Sequence, residues 1–454
     1  MAVRCHGCGF DGLHPVPPPR SLSCNLQPVT CNLIPVIPAF RHDFNARFRP
    51  EAFRNTLHSL DAIARTHITF PVAETPCFFP QSLLDGMASI GAELTLRLIN
   101  DPEYMARSLA AIPERWRAAD QNAHPHFLTA DFGLVRNPDG SLAPRLVEMQ
   151  AFPSVFGFQF AVSEAWRSSF SLDPSLRYLF GSLDEASFWK LLGRTVVAGH
   201  DPETVVLVDV DPSNQKTLPD FHITADRLGN RIVDIAALEP MDAAGGSRGP
   251  VRRLGYRNGS RLVPIRRIYN RAIVDELVRR QIPLQFDYRE SFDVEWAGHP
   301  NWYFHVSKFS IPFLDHPAVP PAVYLDDWFR NPASREPLPA DRDRLILKPL
   351  FSFAGQGIQF SPSDEQLAGI PVDERANFLL QERVTFVPVI DTPFGLTQAE
   401  IRILYVWPDP GQLTPLIALV RLGRGQMMGV DHNRGQSWVG ASAAFYPTQT
   451  FTPK

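Results

Sequence analysis

The chain is predicted to be a mixed α+β / α/β protein, on three observations. Residues 205–236 read strand, helix, strand, the βαβ pattern that builds a parallel sheet. From residue 345 onward short apolar strands dominate. Residues 82–120 instead carry apolar side chains at helical spacing. A length of 454 residues is too great for one simple core, so several packed units are expected.

Residues 1–40 read as an N-terminal extension, because Pro15 and Pro17-Pro18-Pro19 favour an extended polyproline segment. Cys5-His6-Gly7-Cys8, followed by Cys24 and Cys31, has the first half of a zinc knuckle but the wrong second spacing. Within 41–200, a helix is expected over 82–100 and stops at Asp101-Pro102, and a second covers 103–120. Residues 127–136 alternate as a strand, Asn137-Pro138-Asp139-Gly140 is a turn, and 145–150 is the returning strand. Helices over 157–170 and 186–197 follow. Within 201–300 come a fully apolar strand at 205–210, a helix over 213–228 opened by Ser213, and a strand at 231–236. A Gly-rich loop at 242–249, a strand at 266–269 and a helix over 272–281 complete this unit. Within 301–454 a short connection at 308–321 leads to strands at 345–348, 357–360, 378–382, 401–406, 416–420 and 443–446.

Composition narrows the function. Hydrophobic residues make up 44% and charged residues 20%, and the net charge of −4 mixes both signs, so there is no basic field for nucleic acid. No apolar run is long enough to span a bilayer and no secretory leader is visible, so a cytoplasmic protein without a membrane partner is expected. Five cysteines are too few for a disulfide scaffold. His299, His305, His316 and His432 are scattered and read as ordinary polar residues, and Cys77 as a packed one.

The informative stretch is 345–360, LILKPLFSFAGQGIQF. An apolar strand ends in Lys348 and opens into a loop bearing Gly355 and Gly357. Backbone N–H groups of such a loop can close over phosphate oxygens, the lysine adds a point charge, and glycine permits close approach. Residues 378–384 are an apolar strand ending in Gln381, Glu382 and Val384, which suits an adenine ring needing an apolar slot with polar edges. Arg402 alternates with Ile401 and Ile403 and so faces away from them, and Arg421 repeats the pattern on a later strand. A partly buried arginine needs an anionic partner. If the hairpin centres on Asp139-Gly140, Asp131 faces Glu148, and Gln150 shares their face. Two opposed carboxylates repel unless a cation or proton lies between them, and Mg²⁺ would remove that penalty; a solvated hairpin face is the simpler possibility.

Taken in order, the features over 302–446 resemble the ATP-grasp superfamily. The segment 301–308 resembles the one whose lysine, here Lys308, reaches the nucleotide phosphates. Lys348 with Gly355 and Gly357 resembles the second lysine and the phosphate lid. Gln381, Glu382 and Val384 resemble the adenine and ribose hinge. Arg402 and Arg421 match arginines that face the γ-phosphate or acyl-phosphate. The carboxylates lie upstream, and this order resembles the permuted members, the eukaryotic-type glutathione synthetases and glutathionylspermidine-synthetase-like proteins. In those an Arg-x-Asp precedes a Glu-x-Asn; here Thr129 replaces the arginine and Gln150 the asparagine. The resemblance implies an ATP-grasp fold in circularly permuted order with an inserted parallel α/β subdomain. It implies ATP and Mg²⁺ as cofactors, Asp131, Glu148 and Gln150 as metal ligands, and Arg271 on the substrate side. The implied reaction joins a small-molecule carboxylate to an amine or thiol through an acyl-phosphate. A phosphotransferase acting on a hydroxyl and a catalytically weak nucleotide-binding module are the alternatives.

Overall fold

The computed structural model describes residues 36–243, 251–352 and 355–448. Cys5, Cys8, Cys24, Cys31 and most of the Gly-rich loop at 242–249 lie outside the described residues.

Four sheets organise the described residues. The largest has seven strands, in the order β1 (Cys77–Phe78), β18 (Gly440–Pro447), β17 (Thr414–Gly423), β16 (Gln398–Val406), β2 (Phe127–Arg136) and β3 (Leu142–Gln150), with β4 (Leu176–Arg177) paired to β18. A parallel sheet runs β11 (Glu295–Ala297), β10 (Arg267–Asn270), β5 (Val205–Asp209) and β6 (Arg231–Asp234). An antiparallel sheet runs β12 (Ala322–Tyr324), β15 (Phe378–Glu382), β13 (Leu345–Pro349) and β14 (Gln359–Phe360). A meander of β7 (Glu239–Ala243), β8 (Val251–Asn258) and β9 (Arg261–Pro264) completes the set. The parallel sheet lies where the βαβ pattern predicts it.

The large sheet has two distinct faces. Leu128, Ala130, Phe132, Ile401, Ile403 and Tyr405 point into one core, together with Leu84 and Met87 of the helix Gln81–Ile99. The opposite face carries Asp131, Glu148, Gln150, Glu400, Arg402 and Arg421, because strand side chains alternate. The first core fixes the pairing of β2 with β16, since a one-residue slip would turn the charged row into the apolar face.

Several expected elements are shorter than their patterns. The helix expected over 103–120 ends at Ala110, and only a 3₁₀ turn, Glu114–Trp116, follows. Pro113 lies between them and disfavours helical backbone at the residue before it. The helix expected from Ser213 begins at Leu218; Ser213 lies instead in the 3₁₀ turn Pro212–Asn214. Among the described residues no helix is long and apolar enough to cross a membrane.

Candidate functional site

The hairpin β2–β3 sets the first half of the site. Asp131 pairs with Glu148, as the sequence predicts, but the route differs. Arg136 pairs with Leu142 around a five-residue loop, and the register shifts by one between Asp131 and Phe132. The extra residue is Val147, a β-bulge that brings Glu148 opposite Asp131. The Val147 carbonyl accepts a hydrogen bond from Lys348 Nζ at 3.2 Å.

Asp131 is 1% exposed and lies among arginines. Arg402 clamps it with two parallel bonds, Nε to Oδ1 and Nη2 to Oδ2, both 2.6 Å. Arg421 Nη2 adds a third to Oδ2 at 2.7 Å. Both carboxylate oxygens are thus engaged by guanidinium groups. In the structure the positive charge beside the opposed carboxylates comes from arginine, the part that the sequence reading gave to a cation shared by Asp131 and Glu148.

Glu148 faces Lys308 Nζ at 3.6 Å and Arg402 Nη2 at 3.8 Å, and accepts from Gln150 Nε2 at 3.2 Å. Burial alone would raise its carboxyl, but Lys308, Arg402, Lys348 and Arg421 together hold it below its usual value. Burial pushes the Lys348 ammonium down to about 8, with Lys308 reinforcing and Glu148 opposing. Lys308 Nζ donates to the Ser352 carbonyl at 2.7 Å, which ties the segment at 308 to the loop after β13. Glu400, to which the sequence reading gave no role, pairs with Arg421 across β16–β17. Burial raises its carboxyl against the pull of Arg421. Its signal was present, since it lies two residues before Arg402 and shares its face.

These groups border a cavity of about 260 Å³ between the large sheet and the antiparallel sheet of β12–β15. Of the predicted residues, Glu148, Gln150, Lys308, Lys348, Gly355, Val384, Arg402 and Arg421 line it. Ile346, Ile358, Phe360, Phe386 and Met427 supply an apolar lining that sequence reasoning did not name. Gly133 on β2 admits the segment around 384–386: a Cβ there would lie 2.6 Å from a Phe386 ring carbon. Gly355 has φ +75°, and a Cβ on it would meet Met427 at 2.3 Å.

Asp131, Gln381, Glu382, Gly357 and Arg271 do not border this cavity. Gln381 is fully buried beside Ile346, with neither amide atom hydrogen-bonded. Glu382 pairs with Arg344. Arg271 is buried against Asp220 at 3.0 Å and the Ser154 carbonyl. It borders a second cavity of about 530 Å³, on the side of the parallel sheet. Gln150, Arg402 and Arg421 line both cavities and form the wall between them.

The donor set fits Mg²⁺ in part. Such an ion is usually held by one or two carboxylates, with phosphate oxygens and water completing the octahedron. Glu148 offers a carboxylate facing the cavity, and Gln150 an amide oxygen two residues on. Among the described residues no group of three His, Cys, Asp or Glu side chains is placed to hold a metal.

No protein-family model and no curated protein matches the chain. Among solved structures, the chain is similar to a glutathione synthetase-like effector (GSS30) from Globodera pallida in its apo form. The identity is 11%, the match covers 90% of this chain and 99% of that chain, and the TM-score is 0.54. At that identity the likeness shows a glutathione synthetase-like fold and nothing of the chemistry.

Proposed function

We propose that the chain is an ATP- and Mg²⁺-dependent, ADP-forming carboxylate–amine (or thiol) ligase, built on an ATP-grasp fold in permuted order. One observation carries this reading: two cavities back to back, with Gln150, Arg402 and Arg421 as their common wall. Phosphoryl transfer to a carboxylate needs a triphosphate on one side and an acid on the other, with cations where they meet.

In this reading the first cavity takes ATP. The apolar side chains around Ile346 and Val384 receive the base. Lys308, Lys348 and the backbone at Gly355 hold phosphate oxygens. Glu148 and the Gln150 amide oxygen would hold Mg²⁺, which would supply charge neutralisation at the phosphates. An acid in the second cavity directs a carboxylate oxygen at the γ-phosphorus. The bond from that phosphorus to the bridging oxygen breaks, and ADP departs with the electron pair. Arg402 and Arg421, fixed by Asp131, balance the charge on the transferring group. An amine then attacks the acyl carbon, phosphate leaves, and the amine loses its proton to solvent. Asp131 is a positioning residue in this scheme.

A nucleotide-binding module that turns nothing over is the second reading. It is favoured by Thr129, whose buried hydroxyl has no partner where related ligases carry arginine. Incubation of the purified chain with ATP, Mg²⁺ and pools of acids, amines and hydroxyl compounds separates the cases. ADP release requiring both acid and amine is expected. ADP release with hydroxyl compounds alone indicates a phosphotransferase, and tight ATP binding without ADP indicates the module.

A further inference from the structure

We propose that the second cavity takes a carboxylic acid with an apolar, aromatic body in preference to a small polar acid. The inference rests on the ligase reading only for which end of the acid reacts.

The cavity is built from three sources. The large sheet gives Arg402, Leu419 and Arg421, with Leu419 two residues before Arg421 and on its face. The parallel sheet presents the carboxyl end of β5 at Asp209, the place where open α/β sheets bind ligands. The segments joining them contribute rings: Phe70, Phe152 and Phe158 all line the space. Phe70 and Phe158 meet edge-on, with centroids 5.2 Å apart and planes at 77°, and of the two Phe70 is the more exposed. Ile273 on the opposite side extends the apolar surface. At about 530 Å³ the space is roughly twice the first cavity, more than a two- or three-carbon acid fills.

The charges favour an acid over an amine. Of the carboxylates lining the cavity, Glu276 is occupied by Arg280 at 3.0 Å and by Gln215 at 3.1 Å. Asp209 is buried, and burial raises its carboxyl to about 7 in spite of Arg271, so at neutral pH it is no fixed anion for an ammonium group. Arg271 is committed to Asp220 and forms wall. Lys216, Arg279 and Arg280 are further cations of the lining, and Arg402 and Arg421, held by Asp131, are the two that also line the first cavity, so a carboxylate at the shared wall meets both guanidinium groups. An aryl ring against the phenylalanines then leaves the carboxylate at the wall shared with the first cavity.

The test is calorimetric titration of the full chain at pH 7 with 3-phenylpropionate, propionate and 2-phenylethylamine. Burying the ring on apolar surface is expected to make phenylpropionate at least tenfold tighter than propionate, and the amine weaker than the aryl acid. Phe70→Ser, at a half-buried position, is expected to cost phenylpropionate at least fivefold and leave propionate unchanged. If that variant misfolds by circular dichroism, Ile273→Ser replaces it, and the wild-type comparison stands alone in any case. Propionate within twofold of phenylpropionate, or tighter binding of the amine, overturns the inference. AMP-PNP is titrated separately. Its binding without an aryl-acid preference sinks this inference alone; an aryl-acid preference without nucleotide binding sinks the ligase reading and upholds the pocket assignment.

Discussion

Asp131→Ala is expected to destabilise the protein by about 3–5 kcal/mol, because it leaves a buried guanidinium without its partner. The carboxylate is 1% exposed and the Arg402 side chain 11%. Three charge-assisted bonds, at 2.6, 2.6 and 2.7 Å, are lost together. At roughly 1.5–3 kcal/mol each their sum would overshoot, since such bonds are not additive. Arg421 keeps Glu400 as a partner, so its part of the penalty is small. Arg402 keeps Glu148, at 3.8 Å, as its ion-pair partner among the described residues, so most of the cost falls there. The assay is the urea midpoint in Mg²⁺-free buffer, for Asp131→Ala and for Asp131→Leu combined with Arg402→Met. The double variant should recover much of the loss, because it removes both charges and restores apolar volume. A residue whose task is to hold Mg²⁺ predicts the opposite pattern: little change without the metal, and a defect only in its presence. A loss below about 1 kcal/mol in Mg²⁺-free buffer would refute the positioning role.

Three further outcomes are expected. Lys348, with its ammonium held down to about 8, loses charge as pH rises through that value, so AMP-PNP affinity should fall above pH 8 by at most about tenfold per unit; Lys348→Met should be weak and flat from pH 7 to 9.5, and a flat wild-type profile contradicts the assignment. Glu148→Gln should reduce the Mg²⁺ enhancement of nucleotide binding by about tenfold, read by titration with and without the metal; an unchanged enhancement removes Glu148 from the metal site. Gly355→Val, facing both the Met427 contact and a positive φ, should cost about 1–2 kcal/mol locally and weaken nucleotide binding, measured by unfolding and titration together.

Much of the frame was legible because it rests on periodicity. Phe127–Arg136 and Phe378–Glu382 have the expected bounds, and Arg402 turns away from Ile401 and Ile403 as alternation requires. The meander β7–β9 was overlooked although a signal existed: Asn258 pairs with Arg261 around a two-residue loop whose Gly259 has φ +61°, the kind of turn that closes a hairpin. Arginines through β8 hid its alternation. The helices Pro38–Arg47 and Pro50–Ala64 were also passed over, one of them starting inside the expected extension. Within the site, residue types pointed to a cluster but could not apportion partners. Which carboxylate meets which cation depends on sheet packing, and the two arginines that reach Asp131 come from strands about 270 and 290 residues later. Phe386 and Met427 were invisible as lining, because nothing local marks an apolar residue as facing a ligand.

The single extra residue at Val147 separates two kinds of tolerance in the hairpin. The five-residue connection between Arg136 and Leu142 lies upstream of it, so that connection can shrink or grow by a residue while the acidic end keeps its facing. Excising Val147 itself would leave a regular ladder with Glu148 still opposite Asp131, but it would take away the backbone carbonyl that accepts from Lys348 Nζ. A change of length at the tip should therefore leave Lys348 anchored, whereas loss of the bulge should release its ammonium from the β3 backbone while the acidic pair stays in place.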